Sequence, residues 1–167
     1  MFAVSGQLST SFLIPSLSII ENIRFDLGAS YVYAQDILDS EPLILIPPLN
    51  SFQKFKFSPY KKKWTFEITH HISAKQNRFP NSNFTFDYIE NGKIISKIVD
   101  ISESPEAFQK LDVILTFQIK EQKNIITNIG LVVHNITNSD YRDYLNRMRF
   151  YSSELGRNVQ LKLNFKY

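Results

Sequence analysis

The chain has 167 residues, with 19 Lys and Arg against 16 Asp and Glu, and a formal charge of +3 is too weak a basic field to point to nucleic acid. Its 43% hydrophobic content, with 14 Phe and 8 Tyr, is too apolar and too aromatic for a disordered chain. The absence of Cys removes disulfides, thiolate catalysis and cysteine-based zinc sites, and five Gly disfavour a nucleotide-binding loop.

Residues 1–20 carry no charged side chain, so a signal peptide or a membrane helix has to be weighed first. Ser5, Gln7, Ser9, Thr10 and Ser11 run through the middle of that stretch and Pro15 follows, which fits neither. Read with period two, Phe2, Val4, Gly6, Leu8, Thr10, Phe12 and Ile14 fall on one face and Ala3, Ser5, Gln7, Ser9 and Ser11 on the other. That pattern predicts a strand, with no export signal in it.

Six more alternating segments follow, at the length of about 9–11 residues that an outer-membrane strand needs. Ile23, Phe25, Leu27, Ala29, Tyr31 and Tyr33 oppose Arg24, Asp26, Gly28 and Ser30. In residues 51–58, Phe55 and Phe57 oppose Lys54 and Lys56, and Phe52 breaks the pattern. Trp64, Phe66, Ile68, His70 and Ile72 oppose Thr65, Glu67, Thr69, His71 and Ser73. Leu111, Val113, Leu115, Phe117 and Ile119 oppose Asp112, Thr116 and Gln118. Thr127, Ile129, Leu131 and Val133 oppose Asn128, Gly130 and His134. The last segment sets Val159, Leu161, Leu163, Phe165 and Tyr167 against Asn158, Gln160, Lys162, Asn164 and Lys166. No stretch sustains an apolar period of 3.6, so the chain is expected to be all-β.

The connections alternate in length. Residues 15–22, 59–63 and 120–124 are short, whereas 35–50, 74–110 and 136–156 are long. Short turns on one rim and long loops on the other are the habit of up-and-down outer-membrane barrels. The longest connection contains Phe84, Phe86 and Tyr88, then Glu90-Asn91-Gly92-Lys93, then an apolar run over 94–98. Asn-Gly between apolar runs predicts a separate β-hairpin. The final strand ends at the short-turn rim, which places the carboxyl terminus in the periplasm. Trp64, Tyr60 and Tyr167 then fall near one membrane interface and Tyr31 and Tyr33 near the other.

The end of the chain carries more than a pattern. Val133-His134-Asn135-Ile136-Thr137-Asn138-Ser139-Asp140-Tyr141-Arg142-Asp143-Tyr144-Leu145-Asn146-Arg147, then Gly156-Arg157-Asn158 and the closing Leu161-Lys162-Leu163-Asn164-Phe165-Lys166-Tyr167, resembles the carboxy-terminal end of TonB-dependent outer-membrane receptors. Thr137 departs from it, an aromatic being usual there. Glu41-Pro42-Leu43 with Ile46-Pro47-Pro48 looks like a Pro-rich loop of the same family. The resemblance covers essentially the whole chain, strongly from Val133 onward. It implies active uptake of a scarce ligand (ferric siderophore, cobalamin or oligosaccharide) powered through the inner-membrane TonB complex. Residues 1–167 would be the carboxy-terminal part of a barrel of about 22 strands, with no match to the family's plug domain.

Seven strands leave the two ends on opposite rims, and an open sheet in lipid would bare about 10 backbone groups on each edge. At several kcal/mol per group the cost is on the order of tens of kcal/mol, above any net fold stability. The chain is therefore expected to need strands supplied from elsewhere, from the same receptor or another chain.

Several residues invite specific roles. Leu161, Leu163, Phe165 and Tyr167 read as the terminal signal recognised by the barrel-assembly machinery, against the plainer reading of an ordinary amphipathic strand. The family resemblance makes Tyr141, Arg142, Tyr144, Asn146, Gly156, Arg157 and Asn158 structural motif residues of the last loop. The alternative is a basic aromatic patch of Arg142, Arg147, Arg149 and Arg157 among Tyr141, Tyr144, Phe150 and Tyr151 that attracts an anionic ligand. Arg24, Asp26, Glu67 and Asp112 read as polar groups lining the lumen, or touching the plug, and His134 as another near the outer rim. His70 and His71 are strand neighbours and point to opposite faces, so they do not chelate one ion. With no triad, paired catalytic carboxylates, phosphate loop or metal cluster in view, neither an enzyme nor a cofactor is expected. The rival readings are a smaller outer-membrane barrel such as an adhesin or lipid-modifying enzyme, and a soluble β-sandwich binding module. In a sandwich Phe12, Phe25, Phe117 and Phe165 would be buried between two sheets.

Overall fold

A computed structural model describes residues 2–14, 20–59, 63–80, 83–100, 104–122 and 125–166. Tyr60, Tyr167 and most of the three short turns lie outside these residues. The strands are β1 (Phe2–Ile14), β2 (Ile20–Gln35), β3 (Asn50–Pro59), β4 (Trp64–Ser73), β5 (Asn83–Glu90), β6 (Lys93–Asp100), β7 (Phe108–Gln122), β8 (Ile125–His134) and β9 (Asn158–Lys166). A single 3₁₀ turn, Arg147–Phe150, is the only helical element among the described residues.

Seven strands form one antiparallel sheet in the order β1-β2-β3-β4-β7-β8-β9, and β5 pairs with β6 alone. Each strand of the large sheet is joined to its neighbour in sequence order, with the β5–β6 hairpin standing as an insertion between β4 and β7. Asn91 and Gly92 link that hairpin with φ of 51° and 72°, the left-handed pair that a type I′ turn requires. The strands reach further into the short turns than the alternation alone marks out: β2 starts at Ile20 and β7 runs to Gln122.

In an antiparallel pair, opposed residues share a face. One row across the sheet is Phe12, Phe25, Phe55, Ile68, Val113, Val133 and Val159. The next, on the other face, runs from Asp26 through Lys54 and Thr69 to Asp112. In the middle of the sheet, over β4, β7 and β8, the two faces differ in exposure in the sense opposite to a soluble sheet. Thr69 and Val132 on the polar face are buried and the Asp112 side chain is 13% exposed, whereas Phe117 and Leu131 on the other face are 43% and 41% exposed. No second layer covers the apolar face, because each strand packs only against its sheet neighbours among the described residues.

Surface area makes the same point. A folded soluble monomer of 19.5 kDa exposes about 8,500 Å², and this chain exposes 12093 Å². The β-sandwich expectation fails on both grounds, since Phe117 and Phe165 lie in the open. The sheet is a single all-β wall, and it is not closed: β1 and β9 each pair on one side only.

Phe52, the residue that broke the alternation of β3, sits on the polar face opposite Gly28. Its ring fills the place of the missing side chain, since a Cβ on Gly28 would stand 2.2 Å from Phe52 Cε1. Aromatic cover of a strand glycine restores packing that glycine cannot supply. Ile114 and Val132 form a second apolar pair on the polar face, and Val132 is almost fully buried.

Candidate functional site

The polar face carries a network of charges. Arg24 Nε donates to Asp26 Oδ1 at 2.7 Å along β2, and Lys54 Nζ lies 3.2 Å from Glu67 Oε1 across β3 and β4. Asp112 is the centre of the largest group. Its Oδ2 stands 3.4 Å from His134 Nδ1, 3.5 Å from His71 Nε2 and 3.8 Å from Lys110 Nζ. Its Oδ1 accepts the backbone N–H of Asn135 at 2.8 Å. Solvated pairs of this kind contribute about 0–1 kcal/mol each, so the wall is held by its backbone ladder and the charges give the face its polarity. Arg24, Asp26, Glu67 and Asp112 thus share one face, and His134 joins them. His71 faces Asp112, while His70 points to the apolar side.

After β8 the chain from 135 to 157 folds into a compact knot that ties itself through backbone atoms. Asn135 leaves β8 in the left-handed region, with φ 49°, and is buried. Its Oδ1 accepts the Ser139 N–H at 2.9 Å and the Thr137 hydroxyl at 3.2 Å, and its Nδ2 donates to Ser139 O at 2.8 Å. Asn138 Oδ1 accepts the Arg157 N–H at 2.9 Å, and Arg157 Nε donates to Ile136 O at 3.0 Å. Gly156 is needed beside that contact, because a Cβ there would stand 2.9 Å from Asn138 Oδ1. Asn146 caps the 3₁₀ turn by accepting the Met148 N–H at 2.8 Å, and its amide donates to Glu154. Arg142 donates to Arg149 O at 2.9 Å, and Arg149 to Tyr144 O at 2.9 Å.

Arg149 is buried, with its guanidinium 4.7 Å from the centre of Tyr144 and 4.3 Å from that of Phe150. Its Nε has no hydrogen-bond partner, and the two ring faces are what compensate this buried cation. Tyr141 stacks on Phe108 of β7 at 4.2 Å, which fastens the knot to the wall. Between knot and wall lies an open cavity of about 350 Å³, lined by Phe108, Tyr141, Arg142, Arg149, Phe150 and Ser153 with the 104–107 segment. Glu106 at its margin is paired with Lys75.

Tyr141, Arg142, Tyr144, Asn146, Gly156 and Arg157 are thus brought together in the knot, and Asn158 opens β9 opposite His134. Leu161, Leu163 and Phe165 are exposed along β9, and Tyr167 lies outside the described residues. Sequence reasoning had Asn135 only as part of the quoted motif, with no role of its own, and overlooked the burial of Arg149. The first has a trace in the sequence, since two asparagines in Asn135-Ile136-Thr137-Asn138 are residues that tolerate positive φ. The second has none, because a basic residue among aromatics reads equally as an exposed patch. Of four arginines in that patch, one is in fact interior.

The solved structure of the copper transporter OprC matches 99% of this chain with a TM-score of 0.72 at 17% identity. The seven strands have the fold of a barrel wall. The chain spans about a quarter of the OprC chain, 24% of its length. No protein-family model and no curated protein matches the sequence. What the two share is the fold, an antiparallel wall of strands.

Proposed function

We propose that this chain is part of the wall of an outer-membrane active transporter of the TonB-dependent kind. The observation that carries the reading is the inversion of the sheet: the apolar face is bare and the charged face is the more enclosed. Lipid covers the first and a wet lumen the second, as in a transmembrane barrel. Arg24, Asp26, Glu67 and Asp112 are then lumen-facing, the knot at 135–157 lies on the extracellular rim, and Leu161, Leu163, Phe165 and Tyr167 present the strand that the barrel-assembly machinery pairs with.

Closure of the wall comes from strands outside this sheet. β1 and β9 both run from the long-loop rim to the short-turn rim, so pairing them with each other would be parallel. An antiparallel barrel needs an odd number of further strands between them. A second copy in the same orientation brings the same two descending edges, which favours the remaining wall of one larger receptor over a homodimer. Its plug, in this reading, contacts the inner-membrane TonB complex and joins the long loops in selecting a ligand of the siderophore, cobalamin or oligosaccharide class.

Disruption of the gene, followed by envelope fractionation and uptake measurements for iron chelates, copper, cobalamin and oligosaccharides, tests the proposal. The expected result is a protein confined to the outer-membrane fraction and the loss of one energy-dependent uptake. A protein released with the soluble fraction would overturn it.

A further inference from the structure

We propose that the cavity between the 135–157 knot and the wall binds a small aromatic carboxylate, held by Arg142 and Arg149. The inference stands on the knot and its cavity, goes beyond the transport reading, and is tested without transport. Arg149 carries it. This residue is 6% exposed, it lines the cavity, and its Nε is buried with no hydrogen-bond partner. The rings of Tyr144 and Phe150 answer its charge but offer no oxygen to its N–H donors, of which only Nη1 is engaged, on Tyr144 O. An unsatisfied buried donor of this kind is costly, and at the wall of a cleft it marks a place for an acceptor.

The rest of the lining adds free donors. Arg142 engages only Nη1, on Arg149 O, and its Nε and Nη2 make no hydrogen bond to the described residues. No carboxylate among the described residues pairs with either guanidinium. The hydroxyls of Tyr141 and Ser153, on the same lining, likewise make no hydrogen bond to described residues. Planar guanidinium forks match the two oxygens of a carboxylate. Asp140 also lines the cavity, and its charge disfavours a doubly charged phosphate more than a single carboxylate. Glu106, the other acid there, is paired with Lys75. Phe108, Tyr141 and Phe150 present ring surface to the body of the guest, which suits an aromatic one. At about 350 Å³ the cavity lies at the small end of ligand pockets, a size for one ring and its acid group.

The test uses the protein as its cells assemble it, purified in detergent through a tag in the β5–β6 hairpin. Equilibrium dialysis measures binding of benzoate, of benzyl alcohol as its neutral counterpart, and of inorganic phosphate. Wild type is expected to bind benzoate at least about tenfold more tightly than either of the others, the scale of a charge-assisted hydrogen bond. Arg149→Met and Arg142→Gln should each weaken benzoate by about tenfold or more. Arg147→Gln removes the same charge from the same loop, outside the cavity lining, and should leave benzoate binding unchanged. Limited proteolysis within 140–156 reports whether each variant keeps the knot, and where Arg149→Met loosens it the site is judged on Arg142→Gln. Benzoate held no more tightly than benzyl alcohol, or equally by wild type and Arg142→Gln, overturns the site. Phosphate held more tightly than benzoate overturns the assignment to a carboxylate.

Discussion

Phe52 lies across Gly28, so close that a methyl group on the glycine would meet its ring at 2.2 Å. Gly28→Ala is expected to displace the ring and cost about 1–3 kcal/mol, the usual range for overpacking. In a Phe52→Ala background the same substitution should cost much less. A double-mutant cycle on the denaturant midpoint of the membrane-assembled protein measures the difference, and equal costs in both backgrounds would separate the two residues.

Asn135→Ala removes three side-chain hydrogen bonds from a buried position and leaves a non-glycine residue at φ 49°. The expected loss is about 2–4 kcal/mol, felt locally as loosening of the 135–157 knot. Limited proteolysis reads it: cleavage within 140–156 should become at least several-fold faster while the strands stay protected.

Asp112 fastens the first residue of that knot through Oδ1 and gathers two histidines and a lysine around Oδ2. Asp112→Ala should therefore accelerate cleavage of the same loop. Combined with Asn135→Ala its effect should be less than additive, because both act on one connection. Full additivity would mean that Asp112 and Asn135 hold separate parts of the structure.

Tyr144 and Phe150 enclose Arg149, whose Nε has no other partner. Phe150→Leu removes one ring face while keeping the volume close, and should weaken the knot by about 1–2 kcal/mol. Arg149→Met should cost less than Arg149→Ala, because Met keeps an apolar chain of similar length between the rings where Ala leaves a cavity. Proteolysis rates of the three variants give the ranking.

The strands of the large sheet were legible in the sequence because period-two alternation is imposed by two unlike surroundings on the two faces. It faltered where one side chain answers to a neighbour across the sheet. Phe52 follows Gly28, Gln53 and Gln109 follow His70, and Ile114 follows Val132, and none of these partners is adjacent in the chain. The loop knot was visible only as a motif. Its bonds run mainly to backbone atoms, which leave no signature in side-chain pattern, so Asn135 and the interior place of Arg149 emerge only from the fold.

The orientation of the two faces is tested most directly by spin labels on single cysteines at Phe66 and Leu115 on one face and Glu67 and Thr116 on the other. Collision with dissolved oxygen and with a water-soluble nickel chelate is measured for the protein in its membrane. Labels at Phe66 and Leu115 should meet oxygen readily and nickel rarely, and labels at Glu67 and Thr116 should meet nickel more. Labels at Phe66 and Leu115 shielded from both, as in the core of a soluble sandwich, would contradict the account.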